Sequence, residues 1–406
     1  MTILIAGGGI GGLALALMLQ QRGIAAEIHE AAAEIRPLGV GINALPHAIA
    51  ELAAIGLLPA LDAIGIRTRS LTYANQRGQT IWTEARGIHA GHAVPQFSLH
   101  RGHLHGLLWH TAVQRLATPP HTAHRLLDAT QTGGRVVARF QRPDGAIDTA
   151  EGAALIGADG IHSALRAALH PQDAGVRWNG IQMWRGAADW PAFDGGDAMV
   201  IAGDAVAKLV LYPIGPGATP GTRLTNWVIY ARVADGSTRP PHRESWSRRG
   251  AYADFRPLVE RLVLPFIDPA ALIGATADIF EYPMCDRDPL PWWTQGRITL
   301  LGDAAHPMYP VGSNGASQAI LDARCLADLL AARPVPDALA AYDAARRPAT
   351  TAVVHSNRAG GPERVIDLAA ARAPDGFADI ADIATPDELA GVVRGYAQLA
   401  GFAAPR

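Results

Sequence analysis

The first thirty residues constrain the fold more tightly than any other segment. A β-rich run Thr2-Ile-Leu-Ile-Ala6 leads into Gly7-Gly-Gly9-Ile-Gly-Gly12, then into an apolar, helix-favouring stretch from Leu13 to Gln21 that stops at Gly23. A second strand-like run, 26–30, follows. Strand, glycine turn, helix and strand within about thirty residues make one β–α–β crossover. The Gly7-x-Gly9-x-x-Gly12 spacing turns the amides and dipole of the helix head towards an anion, and the missing side chains let a pyrophosphate approach. Glu30 closes the second strand 18 residues after Gly12, placed to accept hydrogen bonds from a ribose diol. Its charge disfavours a 2′-phosphate, so the tightly held dinucleotide is FAD or NAD, not NADP.

Further along, 43–56 reads as a helix, 69–83 as a hairpin turning at Asn75 to Gly78, and 101–116 as another helix. Residues 124–160 alternate like a small antiparallel meander. Trp- and Val-rich runs at 182–186, 208–214 and 225–233, separated by Gly/Pro loops, predict a second, mostly antiparallel sheet. A strand at 297–301 precedes Gly302-Asp303 and a helix over 315–332, so the chain returns to its first domain. The last ~75 residues are Ala-rich and helical, with Thr385 as an N-cap before Pro386. They read as cover without chemistry.

Composition excludes several mechanisms. Lys208 is the single lysine and stands between Ala207 and Leu209, so no P-loop exists. The net charge is −2 and no basic run occurs, which argues against nucleic acid or an anionic membrane as partner. Cys285 and Cys325 show neither a disulfide framework nor zinc spacing. With no long apolar stretch, these features point to a soluble cytoplasmic protein. His103 and His105 point to different helix faces and, with His100, lack a completing ligand, so no metal site is expected.

Two later motifs each set an Asp just beyond a strand: Gly157-Ala-Asp159-Gly160-Ile-His-Ser163 and Leu301-Gly302-Asp303-Ala-Ala-His306-Pro. Together with the N-terminal glycine turn, they resemble the three-part signature of class A FAD-dependent aromatic monooxygenases, the para-hydroxybenzoate hydroxylase type. The stretches 35–43, Met183-Trp-Arg-Gly186, 282–290 and Asn314-Gly-Ala-Ser-Gln-Ala-Ile-Leu-Asp322 are similar to the phenazine-modifying branch, over roughly residues 1–350. The resemblance implies an α/β fold: a Rossmann-like FAD-binding domain (1–70, 100–176, 285–350), an inserted, mainly antiparallel β-sheet substrate domain (71–99, 177–284) and a helical C-terminal tail (351–406).

It further implies FAD tightly bound and NADH or NADPH visiting transiently. The implied cofactor contacts are Gly7, Gly9, Gly11, Gly12, Glu30, Arg36, Val40, Gly41, Arg101, Leu126, Asp159, Asp303, Pro310, Gly312, Asn314, Gly315 and Ala316. Asp303 is expected to hold a ribitol hydroxyl, and the first amides of the 315–332 helix to face the flavin N1–C2=O edge, where a helix N-terminus stabilises an anionic reduced flavin. The family pattern has glycine three residues after the proline, and this chain has Ser313. A related branch carries a base histidine where Asn43 stands.

The implied reaction takes O2 and hydroxylates an aromatic or heteroaromatic ring through a flavin C4a-hydroperoxide, with or without decarboxylation, in a dry cavity. Met183, Trp184, Tyr212 and Trp227 are expected to wall a pocket for a flat ring. Arg185, Arg223 and Arg287 are expected to meet any anionic group. No catalytic side chain stands out; His306 is a weak general-base candidate beside Asp303, and a structural place in the flavin loop fits it better. The alternatives are a Baeyer–Villiger or epoxidising oxygenase on the same fold, and a non-catalytic flavin-binding redox sensor.

Overall fold

A computed structural model describes residues 1–37, 40–236, 240–243, 245 and 247–404. The N-terminal crossover forms as the sequence dictates: strand Thr2–Ala6, helix Ile10–Gln21, strand Ala25–His29. The helix is apolar all round, with Ile10 and Gly12 to Leu19 buried, and a helix of that kind needs cover on every side. It lies on the sheet and against helices Arg101–Arg115 and Gly315–Ala332. Thr2–Ala6 is central in a four-stranded parallel sheet ordered Ile298–Leu300, Ala154–Gly157, Thr2–Ala6, Ala25–His29. Strands from three distant stretches thus build one layer.

The second sheet has seven strands in the order Phe280–Arg287, Val176–Pro191, Thr222–Arg232, Ala207–Pro216, Ala198–Gly203, Ser70–Asn75, Thr80–Ala85. All neighbours are antiparallel except Ala198–Gly203 with Ser70–Asn75, which run parallel. Ala198–Gly203 escaped the sequence reading because both its faces are buried and it shows no alternation. The boundaries expected at 99/100 and 284/285 fall inside strands. Phe97–His100 pairs with Gly41–Ala44 and Gly65–Arg67 in a separate small sheet, and Phe280–Arg287 is an edge of the seven-stranded one.

The helix expected over 43–56 begins later. Residues Gly41–Ala44 are a strand and the helix spans Pro46–Ala54. Leu45 precedes a proline and is extended (φ −77°, ψ 157°), because the proline ring excludes the helical conformation from the residue before it. The meander forms as Arg125–Thr132, Arg135–Gln141 and Ile147–Gly152.

The tail folds into helices Val335–Arg358, Arg364–Arg372 and Pro386–Ala400. Thr385 caps the last of these, accepting from the Glu388 amide. Val365, Ile366, Leu389 and Val393 share a buried cluster with Leu71, Tyr73 and Ile81 of the seven-stranded sheet. No helix among the described residues is long and apolar enough to cross a membrane.

Candidate active site

A cavity of about 520 Å3 separates the parallel sheet from the near face of the seven-stranded sheet. Its two ends differ in chemistry.

At one end the glycine turn divides its labour. A Cβ on Gly7 would meet the Ala158 carbonyl oxygen at 2.2 Å, and one on Gly12 the Gly7 carbonyl oxygen at 2.2 Å. These two permit the turn and the close helix–strand packing. A Cβ on Gly9 would meet nothing within 4 Å. Gly9 is also the N-cap of Ile10–Gln21, with no side chain capping that helix, so its open amides face the cavity that Gly9, Gly11 and Gly12 line. Glu30 accepts the Gly8 amide on Oε2 and the Ala32 amide on Oε1, each at 2.7 Å, bracing the turn.

Asp303 lines the cavity and its side chain is accessible from it. Burial pushes that carboxyl up, while His306 and Arg101 pull it down. Arg101 opens its helix with its amide on the Val40 carbonyl at 2.7 Å and also lines the cavity. Asp159 accepts the Ala164 and Leu165 amides on Oδ2 at 2.8 and 3.3 Å. Its buried Oδ1 has no hydrogen-bond partner among the described residues.

The loop before Gly315–Ala332 contributes Pro310, Gly312, Ser313, Asn314, Gly315 and Ala316 to the lining. No side chain caps this helix either, so two uncapped helix heads face one cavity. Ser313 has φ 57°, the left-handed conformation that glycine adopts more cheaply. Asn43 donates to Ser313 Oγ at 3.4 Å and accepts from Ser98 Oγ at 2.6 Å; it is a structural bridge.

Several expected residues lie elsewhere. Arg36 is exposed and paired with Glu34 at 2.7 Å, outside the lining. Leu126 packs its side chain into the core of the parallel-sheet unit, and Val40 is buried in the cluster beneath the tail. Residues 38 and 39 of the 35–43 stretch lie outside the described residues. His306 is no base here: it is 3% exposed and bonds Asp322 Oδ2 at 2.5 Å. Asp322 also takes the Gly302 amide at 3.1 Å and Arg346 at 2.7 Å. Burial works to raise the Asp322 carboxyl, but His306 and Arg346 hold it down at about 2. The quartet sets the backbone that carries Asp303. His105 is engaged with the Gly8 carbonyl at 2.7 Å.

The other end is the face of the seven-stranded sheet. Successive strand residues point to opposite faces, so Met183 and Trp184 cannot both look into the cavity. Met183, Arg185, Tyr212, Val228 and Tyr230 line it. Trp184 and Trp227 belong to the opposite face, where Trp184 stacks on Phe255 at 5.1 Å and Trp227 donates to Thr276 Oγ1 at 2.8 Å; the expectation for both fails. Arg223 bonds the Gly196 and Thr222 carbonyls, and Arg287 is tied to Asp173 at 3.1 Å and Ile161 O at 2.9 Å. Of the three arginines only Arg185 reaches the cavity. It is 9% exposed and lies 5.2 Å over the Tyr282 ring. Burial pulls it down to about 10, still a cation at neutral pH.

Strand register places Arg185 opposite Val228, Val228 opposite Val210, Val210 opposite Ile201 and Ile201 opposite Tyr73. All five line the cavity. Three apolar side chains therefore form a floor about 10 Å long, at ~4.8 Å per strand step, with Arg185 at one end.

The sequence reading also missed the tail's part in this site. Glu363, Val393, Tyr396 and Phe402 line the cavity, as do Tyr73, Glu84, Arg86 and Tyr282. No motif marks the tail residues, and Tyr73, Glu84 and Tyr282 stand on other strands than Met183 and Tyr212, so only strand pairing places them.

Comparison with known proteins fits this geometry. Residues 1–357 match the family model described as FAD binding domain. The chain is 47% identical over 364 residues to phenazine 1,6-dicarboxylic acid hydroxylase of Lysobacter antibioticus, covering 88% of this chain and 89% of that protein. It is 31% identical to 3-hydroxybenzoate 6-hydroxylase 1 of Aquipseudomonas alcaligenes, over 85% and 84% of the two chains. Among solved structures, HpxO of Klebsiella pneumoniae complexed with FAD and uric acid superposes with a TM-score of 0.74 at 21% identity, over 99% of this chain and 93% of that one. At that identity the likeness concerns the fold.

Proposed function

This chain belongs to the FAD-binding-domain family and is an FAD-dependent aromatic monooxygenase that consumes NAD(P)H; on that premise we propose that it hydroxylates a carboxylated, fused heteroaromatic ring of the phenazine class. The single observation that carries the proposal is the floor Val228–Val210–Ile201 with the Arg185 cation at its end. Its length suits a three-ring system laid flat, and a buried arginine suits a carboxylate. The relative 47% identical to this chain is named for a phenazine dicarboxylic acid.

The residues present fit FAD. The open side of Gly9 and the uncapped helix heads at Ile10 and Gly315 suit its phosphates and the electron-rich edge of its ring. The carboxylates of Asp303 and Asp159 and the cation of Arg101 supply hydrogen bonds and charge around it. When bound, FAD activates O2 and delivers one oxygen atom to the ring.

The protein's task is positioning and dryness. Met183, Tyr212, Val210, Val228 and Ile201 exclude water around the ring, and Arg185 fixes its orientation through the acid group. We assign FAD holding to the parallel-sheet unit and its returning helices, and substrate holding to the seven-stranded sheet and the tail. The two unbridged cysteines support a reducing, cytoplasmic setting.

The test is a panel of phenazine carboxylates, salicylates and hydroxypyridines scored by stimulated NAD(P)H oxidation, with Arg185→Met alongside wild type. Stimulation by phenazine carboxylates, with KM raised about tenfold or more in Arg185→Met, is the expected result. Preference for single-ring substrates would refute the proposal.

A further inference from the structure

Among the described residues, Glu363 is the one carboxylate that the C-terminal segment sends into the cavity. It is 5% exposed, and a carboxylate that deep needs partners. The Tyr230 hydroxyl donates to Oε2, while Oε1 takes no hydrogen bond from the described residues. Its position just before helix Arg364–Arg372 suggests a capping role, yet its side chain caps no amide there. Nor does it form an ion pair among the described residues. Lys208, the only lysine of the chain, bonds Asp367 Oδ1 at 2.7 Å. Burial pushes the Glu363 carboxyl up and the field of Lys208 draws it down; Asp367 acts in the first direction. Tyr73 and Tyr396 are the remaining titratable neighbours, and both feel its charge.

Register locates this acid against the floor. Tyr230 stands opposite Met183 and Arg185 opposite Val228, so Arg185 and Tyr230 are diagonal neighbours on one sheet face, ~7–8 Å apart at the backbone. A ring lying on Val228 and Val210 therefore has one edge at Arg185 and the adjoining edge at the Tyr230–Glu363 pair.

We propose that Glu363 is a specificity-determining residue: its oxygen accepts a hydrogen bond from an N–H or O–H on the ring edge next to the carboxylate that Arg185 holds. The substrate class narrows to fused heteroaromatic acids that carry such a donor. This rests on the reading of the cavity given above.

The test measures binding to the FAD-loaded enzyme through perturbation of the flavin spectrum, with 3-hydroxyphenazine-1-carboxylate and its 3-methoxy counterpart as probes, since position 3 lies on the ring edge adjoining the carboxylate. A hydrogen bond to a charged acceptor contributes roughly tenfold or more in affinity. Wild type is therefore expected to favour the hydroxy probe by about that factor. In Glu363→Leu the preference should collapse while the methoxy probe binds as in wild type. An unchanged preference in Glu363→Leu, or equal weakening of both probes, overturns the proposal. If Glu363→Leu does not retain FAD, Glu363→Gln decides, since it keeps the shape and loses the charge: a reduced preference supports the role and an unchanged one overturns it. Equal binding of both probes by wild type refutes the role of Glu363 alone. A flavin spectrum that neither probe perturbs refutes the fused-ring reading as well.

Discussion

Removing one oxygen atom, by Tyr396→Phe, tests how the tail supports the end of the cavity assigned to FAD. The Tyr396 hydroxyl accepts from Asn314 Nδ2 at 2.9 Å and has two acceptors for its single proton, Asn357 Oδ1 at 2.8 Å and Val311 O at 3.1 Å. All of these are buried, and Asn314 immediately precedes the uncapped helix Gly315–Ala332. Phenylalanine fills the same space but strands the Asn314 donor and the Asn357 acceptor. The Asn314 Nδ2 donor keeps only a longer contact to Gly312 O at 3.3 Å. Each stranded buried group costs about 1–3 kcal/mol, so the variant should lose roughly 2–6 kcal/mol. Urea unfolding of FAD-stripped protein should show a lower midpoint with an unchanged m-value. Because the loosened loop lines the cavity, FAD should also dissociate more readily, seen by fluorescence titration. A stability loss under about 1 kcal/mol, or unchanged FAD affinity, would refute the idea that the tail holds this loop in shape.

Three further outcomes are expected. Trp184→Leu should destabilise the protein by about 2–4 kcal/mol, because it empties the stack with Phe255, yet leave KM for the substrate unchanged; a raised KM at full stability would return Trp184 to the substrate wall. Ser313→Gly should stabilise by about 1 kcal/mol, since glycine takes φ 57° without a Cβ clash, read as an upward shift of the thermal midpoint; a lower midpoint would mean that the contact with Asn43 outweighs the strain. Burial, aided by His121 and His124, lowers His29 to about 3, and burial, aided by Arg346 and His92, lowers His47 to about 4, each from 6.5. Both are held neutral in the fold, so their contribution is fully present above 6.5 and is lost as pH falls towards those values. By pH 5 the loss should reach up to ~4 kcal/mol for the pair, and His47→Leu should flatten the acid limb of a stability–pH curve. An identical acid limb in that variant would remove His47 from the account.

How much of this was legible beforehand follows from where the information resides. The cofactor end is written locally: Gly7 to Gly12 and the Asp303 loop each occupy contiguous residues whose spacing carries their geometry. The helix Gly315–Ala332 was placed to the residue for the same reason. The end assigned to the substrate is written across seven strands, and a one-residue step moves a side chain to the other face. That is why Trp184 was misplaced although its neighbour Met183 lines the cavity. Strand order, which sets Arg185, Val228, Val210 and Ile201 in one row, comes from pairings between distant segments. Glu363 and Tyr396 reach the cavity only through tertiary packing of the tail on Tyr73 and its neighbours, and no local pattern announces it.

The most direct test of the central claim is isotope labelling: purified protein loaded with FAD, NAD(P)H and a phenazine carboxylate turned over under labelled O2, with products read by mass spectrometry. One labelled oxygen atom on the ring, formed in step with substrate-stimulated NAD(P)H oxidation, is the result expected of this cavity. Oxidation of NAD(P)H that yields only hydrogen peroxide and an unaltered ring across all phenazine carboxylates would contradict it.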